Sequence, residues 1–165
     1  MSTSPPISSW ISSATGYLMF RVGDAARGRI EQELARWRLT GKELRVLAFA
    51  QEEPRSQQDI ARLTGLDRTT MVAVVDKLEG LGYARRERSP ADRRKYVVAV
   101  TPAGADALAA AAARLAEAEA EFLAPLDEGE RRALNSYLVR LYAAHDPECI
   151  PEPPDGSLRG QSDLA

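Results

Sequence analysis

The side chains that most often carry enzymatic or metal chemistry are scarce in this chain of 165 residues, which has one histidine, His145, and one cysteine, Cys149. A single Cys cannot form an intramolecular disulfide, and one His with one Cys cannot supply a zinc site of the usual nitrogen and sulfur ligands. The sequence shows no Gly-rich phosphate loop and no pairing of a nucleophile with a base. It therefore predicts a protein that is not an enzyme and needs no metal or cofactor.

The charged residues point to a different chemistry, because their signs are segregated along the chain. The net charge is −2, yet residues 55–95 carry 10 basic and 6 acidic side chains, a local charge of +4. Of the 22 basic residues only Lys42, Lys77 and Lys95 are lysines. Arginine suits bidentate contacts with phosphates and bases, but a GC-rich coding bias explains the excess of arginine equally well. On charge alone, a DNA-binding face and an ordinary solvated surface are equally good interpretations.

Capping signals predict the helices that must position these charges. Thr40 and Glu43 form a capping box in front of a first helix. Ser56 caps a short second helix that stops at Gly65, and Asp67 caps a third helix. Two short helices joined by a turn that contains glycine are typical of a helix-turn-helix.

Two strand candidates, 83–88 and 95–100, follow as a hairpin with a charged tip, which completes a winged-helix unit. Thr101 and Asp127 then cap two further helices, and apolar residues at helical spacing predict a long helix over 8–37. These outer helices are too long and too rich in alanine to be buried on the small winged unit. We expect them to pack against a second copy of the chain.

The chain ends predict a cytoplasmic protein without a membrane anchor. No apolar run reaches the roughly 18 residues of a transmembrane helix, and the first residues lack a basic region followed by an apolar core. Residues 1–7 are expected to form a flexible N-terminus, and residues 147–165 a Pro- and Gly-rich tail.

The stretch from Ser56 to Gly104 resembles the MarR family of winged-helix transcriptional regulators. The pieces that carry the resemblance, in order, are Ile60-Ala61, Thr64-Gly65-Leu66, Val75-Asp76-Lys77-Leu78-Glu79, Gly82-Tyr83, Asp92-Arg93-Arg94 and Thr101-Pro102-Ala103-Gly104. The resemblance implies a mainly α fold with a small β-hairpin wing (α+β). A winged helix-turn-helix DNA-binding domain, 38–101, is flanked by the N- and C-terminal dimerisation helices in 8–37 and 102–146.

The resemblance also implies which residues contact double-stranded DNA. The recognition helix enters the major groove, Arg94 on the wing enters the minor groove, and Asp92 braces the wing loop. The full set of DNA-binding candidates is Ser56, Gln57, Arg68, Thr69, Thr70, Val72, Ala73, Lys77, Arg93 and Arg94.

Two positions in the recognition helix depart from a common family pattern, which has a small hydroxyl residue and an arginine there. This chain has Val72 and Ala73, which offer only apolar contacts, for example with a thymine methyl group. Arg68 and Thr69 are therefore expected to carry more of the base readout. A packing role for positions 72 and 73 is the alternative.

Many members of the family lose DNA affinity when a small phenolic or aromatic-acid effector binds between the dimerisation helices and the winged unit. Candidate lining residues here are Trp10, Tyr17, Phe20, Trp37 and Phe49, although aromatic residues on helical stripes are more often core residues. Some members sense oxidants through a cysteine in the N-terminal helix. Because Cys149 lies in the tail instead, we interpret it as an ordinary thiol.

The combined prediction is a homodimeric, sequence-specific DNA-binding regulator, with a repressor favoured over an activator. Two recognition helices related by a twofold axis would read a pseudo-palindromic operator with half-sites about one helical turn apart. The alternative is a winged-helix module that binds only proteins and has no salt-dependent DNA affinity. The basic wing residues Arg93, Arg94 and Lys95 argue against it.

Overall fold

The structure is a computed structural model that describes residues 11–89 and 92–145. Its helices are α1 (Thr15–Leu34), α2 (Gly41–Glu52), α3 (Gln57–Thr64), α4 (Arg68–Gly80), α5 (Pro102–Phe122) and α6 (Glu128–His145), and its strands are β1 (Ala84–Arg88) and β2 (Tyr96–Val100). The mainly helical fold with one small hairpin confirms the predicted fold class. No helix in these ranges is long and apolar enough to cross a bilayer.

Side-chain caps fix the starts of α2 to α5, as the sequence predicts. Thr40 and Glu43 form the capping box of α2. The side chains of Ser56, Asp67 and Thr101 each accept a hydrogen bond from the backbone N–H three residues ahead, at 3.2, 2.9 and 3.0 Å. Each cap satisfies a backbone donor that the helix leaves open, so the sequence itself sets where these helices begin.

One apolar core holds the winged unit together and orients α4. Met71, Val74, Val75 and Leu78 of α4 are buried, at the spacing of three and four residues that the sequence predicts. Full burial of one such side chain contributes about 1.5–3 kcal/mol. The core therefore fixes which face of α4 points inward and leaves the opposite face exposed.

The wing is an antiparallel hairpin in which Ala84 lies opposite Val100 and Arg88 lies opposite Tyr96. Arg55 adds a one-residue bridge to β2, because its carbonyl accepts a hydrogen bond from the Val98 N–H at 2.9 Å. No local pattern in the sequence predicts this bridge. It joins the chain just before α3 to the middle of β2.

The predicted strands are one residue too long at their starts. Tyr83 is not part of β1, because its N–H donates to the carbonyl of Leu78 and it follows Gly82, whose φ is +73°. Lys95 is not part of β2, because its N–H donates to the carbonyl of Asp92 within the turn of the wing. Both residues belong to turns.

The single helix predicted over 8–37 is also wrong in its bounds. Residues 11–13 are helical, but Ala14 is extended, with φ −64° and ψ 133°, and precedes α1 without a side-chain cap. At the other end α1 passes into a 3₁₀ turn, Ala35–Trp37, which stops at Arg38 in the left-handed conformation. Residues 8–10 lie outside the described ranges.

A buried carboxylate on α1 forms an ion pair with α5. The Nε and one terminal nitrogen of Arg114 donate to the two carboxylate oxygens of Glu33 at 2.6 and 2.8 Å. These hydrogen bonds hold the pKa of Glu33 below its ordinary value, against the opposing effect of burial. The outer helices are thus tied together by charge as well as by packing.

Candidate nucleic-acid interface

The exposed face of α4 begins at its first residues. Arg68, Thr69, Val72 and Ala73 are exposed, Val72 to 42 %. They follow the i, i+3, i+4 spacing of one helical face and lie opposite the buried residues. The structure therefore brings these four candidates together on one exposed face of α4.

Two of the candidate hydroxyl groups are already engaged in helix caps. The Thr70 hydroxyl donates to Asp67 Oδ2 at 2.6 Å, and the Ser56 hydroxyl donates to Asp59 Oδ2 at 2.5 Å. The hydrogen bonds from Thr70 and from Ser56 hold the pKa values of Asp67 and Asp59 below their ordinary values. The Thr70 N–H also donates to Asp67, at 2.9 Å, so both donors of Thr70 are engaged inside the protein. A contact from Ser56 to a phosphate would come from its backbone N–H. Gln57, beside Ser56, is half-buried.

At the wing, Arg93 and Arg94 are exposed, and Asp92 Oδ1 accepts the Arg94 N–H at 3.0 Å. Sequence reasoning missed a second brace, Arg88. Its guanidinium donates to the Arg93 carbonyl at 2.6 Å and lies 4.8 Å from the centre of the Tyr96 ring. An arginine directly opposite a tyrosine in a hairpin was the available signal.

Salt bridges divide the 10 basic residues of 55–95 into two groups. Those that pair with carboxylates are Arg55, Arg62, Lys77, Arg85 and Arg86. Those that form no salt bridge within the described residues are Arg68, Arg88, Arg93, Arg94 and Lys95. The cations without carboxylate partners are therefore concentrated at the start of α4 and on the wing. The basic surface is smaller than the charge count alone indicates.

The aromatic residues predicted to line an effector pocket have different environments. Phe49 and Trp37 are partly buried against the core. Tyr17 is half-buried on α1, and Phe20, also on α1, is 67 % exposed. Trp10 lies outside the described residues.

A cleft of about 590 Å³ lies elsewhere, between α3 and the turn end of the wing, where Ser89, Lys95 and Val97 line it. Its lining includes Ser56, Asp59, Arg62 and Lys95, and none of the aromatic candidates. Within the part of the chain that the structure describes, no group of three or more His, Cys, Asp or Glu side chains is placed to hold a metal ion. His145 is exposed at the end of α6, and Cys149 lies outside the described residues.

The helix-turn-helix, the exposed face of α4 and the basic hairpin define a winged helix-turn-helix protein of the kind that regulates transcription. A family model described as the MarR family matches residues 39–95. A structure of the transcriptional repressor CouR bound to a 23-mer DNA duplex is 30 % identical, with a TM-score of 0.73, and the match covers 84 % of this chain and 99 % of that one. The chain belongs to the MarR family.

Two further comparisons bear on function. A protein of Thauera aromatica, assigned to transcriptional regulation of the hcr operon, is 39 % identical over 87 residues, 53 % of this chain. This match spans only 52 % of that relative. CouR from Rhodococcus jostii RHA1, in its complex with p-coumaroyl-CoA, is 28 % identical with a TM-score of 0.70, and the match covers 83 % of this chain and 95 % of that one.

Proposed function

We propose that this protein is a homodimeric, sequence-specific DNA-binding repressor that acts in the cytoplasm. The observation that carries the proposal is the placement of the cations without carboxylate partners. Within the described residues they lie at the start of α4 and on the wing, and most carboxylates of the same segment are engaged with other cations or with caps. Such a surface attracts the phosphate backbone.

In the proposed complex α4 enters the major groove by its N-terminal half. Because Asp67 already accepts the Thr70 N–H at the start of α4, we expect side chains to make the contacts there, and Arg68 and Thr69 can donate to phosphates or base edges. Val72 and Ala73, one turn further along, offer an apolar surface suited to a thymine methyl group. The backbone N–H groups at Ser56 and Gln57, where α3 begins, would hold a second phosphate.

The wing supplies the second contact. Arg94 would enter the minor groove, where an arginine is favoured by the negative potential of narrow A·T-rich segments. Its backbone is held by Asp92, and the neighbouring carbonyl of Arg93 is held by Arg88. Backbone that is already held at Arg93 and Arg94 loses less conformational entropy when the wing binds.

Dimerisation is supported by helices whose apolar residues are exposed in the single chain. None of the residues of α6 is buried, although it carries Tyr137, Leu138 and Leu141 on one face. On α1, Leu18 and Phe20 are likewise exposed. A second copy of the chain would cover these residues, and the twofold axis would present two α4 helices to a pseudo-palindromic operator.

An aromatic effector is part of the proposal, on the strength of the CouR complex with p-coumaroyl-CoA, which contains a phenolic acyl group. Trp10, Tyr17, Phe20 and Phe49 remain the candidates for its pocket. Binding of an effector between the dimerisation helices and the winged units would change the spacing of the two α4 helices, and so lower affinity for the operator.

The test uses duplexes selected by the wild-type protein from a random-sequence library, together with DNA from upstream of its own gene. Wild type should bind with a Kd that rises steeply with salt. Arg94→Glu should abolish this binding while light scattering shows an unchanged dimer. Arg132→Glu, which reverses a surface charge on α6, is the matched control and should bind as wild type does.

Retention of full affinity by Arg94→Glu would contradict the assignment of the wing. If the wild-type protein shows no salt-dependent DNA binding, the protein-binding module is the better explanation, and the proposed function fails as a whole.

A further inference from the structure

The second half of α4 carries three charged side chains, and all three have partners inside the protein. Lys77 Nζ lies 3.2 Å from Glu43 Oε1 on α2. On the other side of the helix, Arg86 of β1 donates to Asp76 Oδ1 at 2.7 Å and also pairs with Glu79. The first half of α4 has no such ties. Within the described residues Arg68 forms no salt bridge.

Glu43 is an unusual partner because it is buried, with only 6 % of its surface exposed. Its second carboxylate oxygen accepts the Thr40 N–H at 2.6 Å and also the Thr40 hydroxyl. Burial opposes the charged form of Glu43, but the hydrogen bonds from Thr40 and the contact with Lys77 outweigh it and hold its pKa below the ordinary value. Glu43 is therefore ionised at neutral pH.

Moving Lys77 to a phosphate would leave this carboxylate without its cation. Lys77 forms the one salt bridge of Glu43 within the described residues. A buried carboxylate that loses its cation strongly destabilises the protein, and a new phosphate contact of Lys77 would have to offset that cost. The balance favours an intact Glu43–Lys77 pair in the DNA complex.

We propose that Lys77 is a positioning residue, which fixes the rotation of α4 about its axis through Glu43 and does not contact DNA. This inference rests on the proposed function. Arg86 holds the same half of the helix from the wing side, so the base-reading surface is confined to Arg68, Thr69, Val72 and Ala73. The positioning role of Lys77 replaces the expectation from sequence that Lys77 contacts DNA directly.

A positioning residue and a residue that contacts phosphate have different effects on the affinity for selected DNA and for random-sequence DNA. A cation that contacts a phosphate strengthens binding to all sequences and contributes about one unit to the slope of log K against log salt. A residue that only orients α4 affects binding to the selected sequence, because contacts with base edges need the correct rotation of the helix.

The experiment compares Lys77→Met and Glu43→Gln with wild type, on a duplex selected by the wild-type protein and on a random-sequence duplex of the same length. Both variants should lower the ratio of selected to random affinity about fivefold or more. Their salt slopes on both duplexes should stay at the wild-type value. The matched control Arg68→Met should lower the slope by about one for each phosphate that Arg68 neutralises in the wild-type complex.

A variant that keeps the positive charge at position 77 distinguishes the positioning role from a general loss of stability. Lys77→Arg can still pair with Glu43 and should restore most of the affinity ratio, which a general loss of stability in Lys77→Met would not explain. A drop in the salt slope of Lys77→Met equal to that of Arg68→Met would overturn the proposal, as would an unchanged affinity ratio in both pair variants. Absence of DNA binding by the wild type would instead reject the proposed function.

Discussion

Arginines that are close in sequence have different roles in this protein. The role depends on whether the guanidinium group pairs with a carboxylate. Arg86 on β1 is held by carboxylates of α4, whereas Arg94 at the wing tip is exposed and forms no salt bridge within the described chain. Both belong to one basic segment of the sequence. The charge of that segment gives the sign of the surface correctly, but only the folded structure separates arginines that hold the fold from arginines that can bind phosphate.

The buried pair of Glu33 and Arg114 gives a prediction at the same scale. Because the pKa of Glu33 is lower in the folded state than in the unfolded chain, ionised Glu33 stabilises the fold. This contribution is complete above the ordinary Glu pKa of about 4.3, and is lost as the pH falls through the lower folded-state pKa. Glu33→Gln should lower the Tm at pH 7, and the difference from wild type should shrink on acidification.

Thermal unfolding between neutral and acid pH measures this difference. Glu128→Gln is the matched control, because Glu128 is exposed and, among the residues that the structure describes, its salt bridge is with Arg132 on the same helix. Its Tm difference from wild type should be small at every pH. A Tm gap for Glu33→Gln that stays constant across the range would contradict the assignment.

At the scale of elements, a close approach of backbone joins the wing to α5. The Thr101 hydroxyl donates to the Gly82 carbonyl at 2.6 Å, and its N–H donates to the Tyr83 carbonyl at 3.0 Å. A Cβ atom at Gly104 would lie only 1.9 Å from that Tyr83 carbonyl oxygen. Glycine is therefore required here so that α5 can start directly against the turn that leads into the wing.

Gly104→Ala should accordingly lower the free energy of unfolding by about 1–3 kcal/mol or more, because backbone must move to admit the methyl group. Urea unfolding at neutral pH measures the change. Gly41→Ala is the matched control, since a Cβ there meets nothing within 4 Å, and its stability should be equal to wild type or slightly higher. Equal stability of the two variants would show that the turn has room for a side chain.

The sequence predicts those elements whose signals are local. Ser56, Asp67 and Thr101 cap helices as expected, because a cap and the N–H that it accepts are three residues apart. The ion pair between Glu43 and Lys77, and the bridge from Arg55 to β2, join residues far apart in the chain. Side-chain type alone does not determine such pairings, so only the folded structure revealed that Lys77 faces α2.

At the scale of the whole molecule, the chain has two unlike surfaces. Its charge of −2 divides into +4 over residues 55–95 and −6 elsewhere. The outer helices add exposed apolar residues, with Leu138 and Leu141 of α6 exposed to 46 and 44 %. Two exposed leucines three residues apart, on a helix that has no buried residue, favour packing of this helix against another protein surface. The apolar surface that we propose to dimerise therefore differs in character from the basic surface that we propose to bind DNA.

The last prediction concerns that partner. The double variant Leu138→Glu and Leu141→Glu should convert the dimer to a species of 18.0 kDa, because two carboxylates would be buried in the interface without cations. Loss of the second α4 should then weaken binding to the selected duplex roughly 100-fold or more, with affinity for an isolated half-site preserved. Light scattering and titration measure the two effects. Ser136→Glu, on the opposite side of α6, should remain dimeric, and a double variant that also stays dimeric would place the interface elsewhere.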